Sequence, residues 1–197
     1  MKIDTSLKKI FTSQTRLKLL TIFFYFPREL YYVRELVRAT GEEINSVRRE
    51  LQILKSANIV ETEVRGNRVY YWANIKSPLL QQLLILANQN SGLGSELQQK
   101  RERSGQVKMY LCSYQFLLND TYNADLIDLI IVGDASAKEI DNLVKAEEQK
   151  RKREINYMLM DKTELILRKQ KRDQFMVDFF LNCPLVIIGN PKDLIEN

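Results

Sequence analysis

Histidine is absent from the 197 residues, and cysteine occurs only twice, at Cys112 and Cys183. Those shortages exclude a Cys₂His₂ or His₃ zinc site, a Ser-His-Asp triad and a Cys-His catalytic pair. A metal here would have to be a hard cation held by oxygen. Both cysteines are expected to be small buried residues. No apolar run approaches the length of a membrane span; Leu79–Ala87 and Leu126–Val132 are the longest. The opening "MKIDTSLKK" has no apolar core of a secretory signal, so the expectation is a cytoplasmic protein with no membrane partner.

What is present is ordinary for a folded chain, with 45% hydrophobic and 28% charged residues. Charge is unevenly spread. Residues 1–94 carry 14 Lys/Arg against 8 Asp/Glu, whereas residues 95–197 carry 16 against 17. The whole net charge of +5 therefore originates in the first half, which points to an anionic partner there. Between the halves lies "NQNSGLGSELQQKRERSGQ", holding three of the seven glycines. It reads as a linker over 92–105 between domains at 1–91 and 106–197.

In the first domain, "SLKKIFTSQTRLKLLTIFFYF" places Leu7, Ile10, Phe11, Leu17, Leu20 and Phe24 at mainly helical spacing, ended by Pro27. "YYVRELVRAT" predicts a second helix with Val33, Leu36 and Val37 inward, stopped at Gly41. "INSVRRELQILKSAN" predicts a third, with Ile44, Val47, Leu51 and Leu54 on its apolar face. "IVETEV" and "RVYYWA" flank a tight turn and read as a β-hairpin. Ser77-Pro78 then opens another helix.

Three helices and a hairpin in this order describe a winged helix-turn-helix, an α+β domain. Opposite the apolar face of the third helix stand Asn45, Arg48, Arg49 and Gln52, at i, i+3, i+4 and i+7. Such side chains reach base edges and phosphates when a helix enters the major groove of double-stranded DNA; the other reading of the stripe is a solvated face. The hairpin tip, Arg65-Gly66-Asn67-Arg68, offers two cations on a short turn, suited to the backbone or minor groove. "SQTRLKLL…YYVRELVRATG…NSVRRELQILKSANIVETEVRGNRVYYWAN" resembles the ArsR-type winged-helix transcriptional regulators over residues 7–90. That resemblance implies a DNA-binding homodimer. It maps Ser46, Arg48, Arg49 and Gln52 to the helix that reads DNA, and Arg65, Asn67 and Arg68 to the wing. Glu42-Glu43 depart from the apolar residue usual after the turn glycine, and are expected to repel phosphates and moderate affinity.

The second domain reads as small and α/β. Strands are expected at "VKMYLCS", "LIDLIIV", "EINYMLM" and "LVIIG", with helices between them. Ser136 and Glu139 suggest a capping box, followed by an inner face of Ile140, Leu143 and Val144. Asp161 and Glu164 suggest another. "IDLIIVGD", "REINYMLM" and "PLVIIGN" resemble the minimal nucleotidyltransferase domains. Active members hold Mg²⁺ on a carboxylate strand facing a Gly-Ser turn.

This chain departs at each point. The turn is Cys112-Ser113-Tyr114-Gln115-Phe116-Leu117, without glycine. Asp128 matches one carboxylate, but Leu126 and Asn156 stand at the others and Asp125 is one residue out of register. The expectation is thus an inactive domain with no catalytic residue, metal or cofactor, serving a small-molecule effector or a protein partner. Asp128 is expected to satisfy neighbouring groups at the strand's start. The run Lys150–Arg153 either meets DNA or an acidic partner, or complements a helix dipole. Two alternatives stand beside the regulator: a Mg²⁺-dependent nucleotidyltransferase tethered by the winged helix, and an antitoxin-like, autoregulated interaction protein.

Overall fold

A computed structural model describes residues 5–120 and 126–194. The fold is mixed α/β with two sheets. Contacts divide the chain into Met1–Ser91 and Gly92–Asn197. Among the described residues no helix is long and apolar enough to cross a membrane.

The first unit opens with α1 (Thr5–Ile10) and α2 (Gln14–Tyr25), where the spacing predicts one helix. Ser13 makes the break. Its backbone is extended, and its hydroxyl accepts the Arg16 N–H at 3.2 Å, so it caps a new helix. Leu17, Leu19, Leu20, Phe23 and Phe24 are all buried, which makes α2 apolar around most of its girth and central to the unit. Ile10, expected inward, is 73% exposed. Tyr31 and Tyr32 form a short strand, β1, rather than the first turn of a helix; α3 (Val33–Thr40) follows directly.

Gly41 ends α3 in the left-handed region at φ +66°, its N–H bonded to the Val37 carbonyl at 2.9 Å. Helix α4 (Ile44–Ser56) buries Val47, Leu51 and Leu54, with Ile44 half-buried. Strands β2 (Val60–Arg65) and β3 (Arg68–Ala73) form the expected hairpin, closed by the Arg65–Arg68 pair. Strand order is β1-β3-β2. Helix α5 (Leu80–Gln89) begins later than Ser77-Pro78 suggests; the Ser77 hydroxyl instead accepts the Leu79 N–H in the turn before it.

In the second unit, the expected linker is helix α6 (Gly92–Ser104), with Leu93 and Leu97 buried. Then come β4 (Val107–Cys112), α7 (Tyr114–Leu117), β5 (Leu129–Gly133), α8 (Ala137–Arg151), β6 (Tyr157–Met160), α9 (Lys162–Gln170), α10 (Gln174–Leu181) and β7 (Leu185–Ile188). The sheet order is β6-β5-β4-β7, with β5 and β6 parallel and both partners of β4 antiparallel to it. Leu126, Ile127 and Asp128 precede β5 rather than belonging to it. Alternation sends Met109, Leu111, Ile130 and Val132 to one face, where Leu165 of α9 and Met176 and Phe179 of α10 cover them. Tyr110 and Cys112 point to the other face, within the electrostatic reach of Glu147 and Arg151 on α8.

Two further expectations fail. Ser136 precedes α8 without a side-chain cap, and Glu139 pairs with Lys100 at 2.7 Å instead. Cys112 is buried, and burial pushes its thiol up from the ordinary value, but Cys183 is exposed. The Asp161 cap does form, accepting the Glu164 N–H at 2.8 Å.

Candidate nucleic-acid interface

Helix α4 sets its basic stripe by burying the opposite side. With Val47, Leu51 and Leu54 in the core, Asn45, Arg48, Arg49 and Gln52 stand exposed and Ser46 is half-buried. Among the described residues neither Arg48 nor Arg49 enters an ion pair. The hairpin tip presents Arg65, Asn67 and Arg68, all exposed. Arg65 is bonded to Glu63 (Nη2–Oε2 2.6 Å) and lies over the Tyr70 ring, 5.8 Å from its centroid. The Glu63 bond raises the Arg65 guanidinium above its ordinary value, and a bond to Tyr70 does the same for Arg68.

Helix and hairpin enclose one groove of about 620 Å³. Arg48 and Gln52 of α4 line it together with Asn67 and Arg68 of the hairpin. Asn45, Ser46, Arg49 and Arg65 lie outside that lining. The groove adds Tyr32 and Arg34, which sequence reasoning missed. Arg34 and Arg38 also line an adjoining hollow of about 360 Å³, and the Arg38 Nη2 donates to the Tyr32 hydroxyl at 3.4 Å. Their i, i+4 spacing on α3 was the available signal.

Glu42 does not stand as a free acid facing phosphates. Lys18 of α2 bonds its Oε1 at 2.6 Å and also donates to the Thr40 carbonyl at 2.8 Å, while the Thr15 hydroxyl donates to Oε2 at 3.3 Å. The Lys18 bond holds this carboxyl below its ordinary value. Glu50, on the buried side of α4, pairs with Arg16 of α2 at 2.8 Å. Glu43, the residue before α4, is exposed without a side-chain cap bond.

In the second unit, Asp128 is 7% exposed at the start of β5. Its Oδ1 pairs with Arg153 and its Oδ2 accepts the Asn156 N–H at 3.1 Å. Its carbonyl accepts the Ser113 N–H at 2.8 Å, and the Ser113 hydroxyl caps α7 by accepting the Phe116 N–H at 3.2 Å. The serine of the degraded turn thus serves the backbone. Asn156 donates through Nδ2 to the Leu126 carbonyl at 3.1 Å. Asp125 lies outside the described residues.

Among the described residues this corner offers one carboxylate, Asp128, with both its oxygens engaged, and such a donor set does not fit a divalent cation. Among the described residues no three Cys, Asp or Glu side chains gather as a metal-ligand set. The run Lys150–Arg153 is also not a uniform cationic surface. Arg151 is buried against Glu147 at 2.7 Å and lies 4.2 Å over the Phe116 ring, Arg153 turns to Asp128, and only Lys150 and Lys152 are exposed.

Set against protein-family models, curated proteins and solved structures, the chain matches none of them.

Proposed function

We propose that the protein is a DNA-binding transcriptional regulator. Its first unit acts as a winged helix-turn-helix of the ArsR type, and its second unit senses or interacts and does not catalyse. The groove shared by α4 and the hairpin carries this reading, with Arg48 and Gln52 on the helix and Asn67 and Arg68 on the hairpin. Helix α4 then enters the major groove of double-stranded DNA, while the hairpin meets the adjacent backbone or minor groove. The charge excess of residues 1–94 adds the sequence-independent attraction that phosphates exert. A homodimer, which the ArsR resemblance implies, would read two half-sites about one helical turn apart. For the second unit, the pairing of Asp128 with Arg153 and the neutral residues at 126 and 156 favour a retired nucleotidyltransferase scaffold.

Fluorescence anisotropy tests the reading, using duplex DNA from upstream of the protein's own gene against a scrambled duplex over a salt series. Preference for the native duplex is expected, with a log–log salt slope of about 0.9 per phosphate contacted. Arg48→Ala with Arg49→Ala should cost about 1–3 kcal/mol for each base contact removed. Equal binding of both duplexes, or no effect of the double variant, overturns it.

A further inference from the structure

A hollow of about 400 Å³ opens at the carboxyl ends of β5 and β6, the opposite end of these strands from Asp128. The topology explains why it is there. β5 and β6 are parallel neighbours, yet the chain leaves β5 for α8 on one face and β6 for α9 on the other. Adjacent parallel strands whose connections diverge leave a crevice outside their carboxyl ends, the place where open α/β sheets take ligands. Gly133 shapes the same corner. At φ +152°, a Cβ there would fall 2.0 Å from the Gln106 carbonyl oxygen, so β5 ends tight against the start of β4.

The lining divides by chemistry. Met109, Val132 and Leu165 form a buried apolar floor, and Lys108, Lys162, Asp134 and Asp193 surround it. Several other charges of this unit are paired: Lys100 with Glu139, Lys145 with Asp141, Arg151 with Glu147, Arg153 with Asp128, and Arg168 with Glu164 and Asp173. Among the described residues, the side chains of Lys108, Lys162, Asp134 and Asp193 make no ion pair or hydrogen bond, with one another or with anything else. Asp161, also in the lining, is already committed to capping α9.

We infer that this hollow binds a small zwitterion of the amino-acid type. The ligand's carboxylate meets Lys108 and Lys162, its ammonium meets Asp134 and Asp193, and its side chain rests on the apolar floor. A simple anion would face two unmatched aspartates and a simple cation two unmatched lysines; a zwitterion answers both. The volume falls within the range of roughly 300–1,000 Å³ usual for small-molecule sites. The inference stands apart from DNA binding and gives the second unit something to sense.

Isothermal titration of the full chain with each common amino acid tests it. For any that binds, its methyl ester and its N-acetyl form are then titrated, with acetate and inorganic phosphate as simple anions. At least one amino acid should bind, and either derivative should bind about tenfold more weakly or worse, because each loses a charge-assisted contact. Lys162→Gln and Asp134→Asn, both at exposed positions, should each weaken binding about tenfold with the melting temperature unchanged. The inference is overturned if no amino acid binds at millimolar concentration, if acetate or phosphate binds as tightly, if a derivative keeps full affinity, or if the variants bind like the native chain.

Discussion

The Arg68 guanidinium lies over the Tyr32 ring, 4.6 Å from its centroid. Tyr32 stands opposite Tyr70 in the β1–β3 pair, the two rings meeting edge to face at 6.0 Å, and Tyr70 in turn underlies Arg65. A two-residue strand thereby fixes where the hairpin's cations sit in the unbound chain. Pre-ordering matters because a free arginine side chain loses about 2 kcal/mol of rotamer entropy when it is immobilised.

Tyr32 is accordingly a positioning residue for the proposed interface. Tyr32→Leu should weaken DNA binding by about 0.5–1 kcal/mol, the usual worth of an exposed cation–π contact, or about two- to fivefold in Kd. Tyr32→Phe keeps the ring and should bind nearly as the native chain does. In an Arg68→Ala background the Tyr32→Leu effect should vanish. Anisotropy over the four proteins of this cycle checks it, and strict additivity would show that Tyr32 does not act through Arg68.

Glu42 offers a test with a defined pH window. Its carboxyl is lowered from 4.5, first by the Lys18 bond. A lowered carboxyl stabilises the fold above its ordinary value, and that contribution is lost as pH falls through the lowered one. Glu42→Gln should therefore be less stable near neutrality by about 0.2–1 kcal/mol, the range for a partly exposed pair. The gap to the native chain should close below about pH 4.5. Thermal melts across pH measure it; a gap that persists in acid would mean that the amide disturbs the α3–α4 turn for another reason.

How much of this was legible in the sequence depends on the range of the interactions involved. Helix α4 and the hairpin were readable because their signals are local: Val47, Leu51 and Leu54 at helical spacing, and a Gly-Asn loop between β-rich flanks. Helix α6 was not. Its buried apolar side chains are only Leu93 and Leu97, and its start is held by Glu147, whose carboxylate accepts the Leu93 N–H at 3.1 Å from far along the chain. Arg151 and Arg153 read as surface cations for the same reason, since Phe116 and Asp128 lie distant in sequence. At the candidate site, Arg48, Gln52, Asn67 and Arg68 were named in advance, whereas Tyr32 and Arg34 were hidden by an apparent helix start that β3 pulls into a strand. At Ser13 a single capping hydroxyl outweighed an otherwise continuous helical pattern.

The pairing of Asp128 with Arg153 makes the last prediction. Their side chains are 10% and 12% exposed, so removing one partner strands a nearly buried charge. Arg153→Met should cost about 3 kcal/mol in urea unfolding. Asp128→Asn added to it should recover part of that loss, because a neutral amide needs no counter-charge. Burial already holds the Asp128 carboxyl above its ordinary value of 3.8, with the Arg153 bond and charge opposing. Without Arg153 it should rise further. A raised carboxyl means that the folded chain keeps a proton which the unfolded chain has released. Stability then falls as pH climbs through the window between the two values and returns on acidification. The Arg153→Met deficit should accordingly narrow as pH drops from neutrality towards 3.8, and the double variant should lack that trend. A deficit independent of pH would show that Asp128 is not the stranded group.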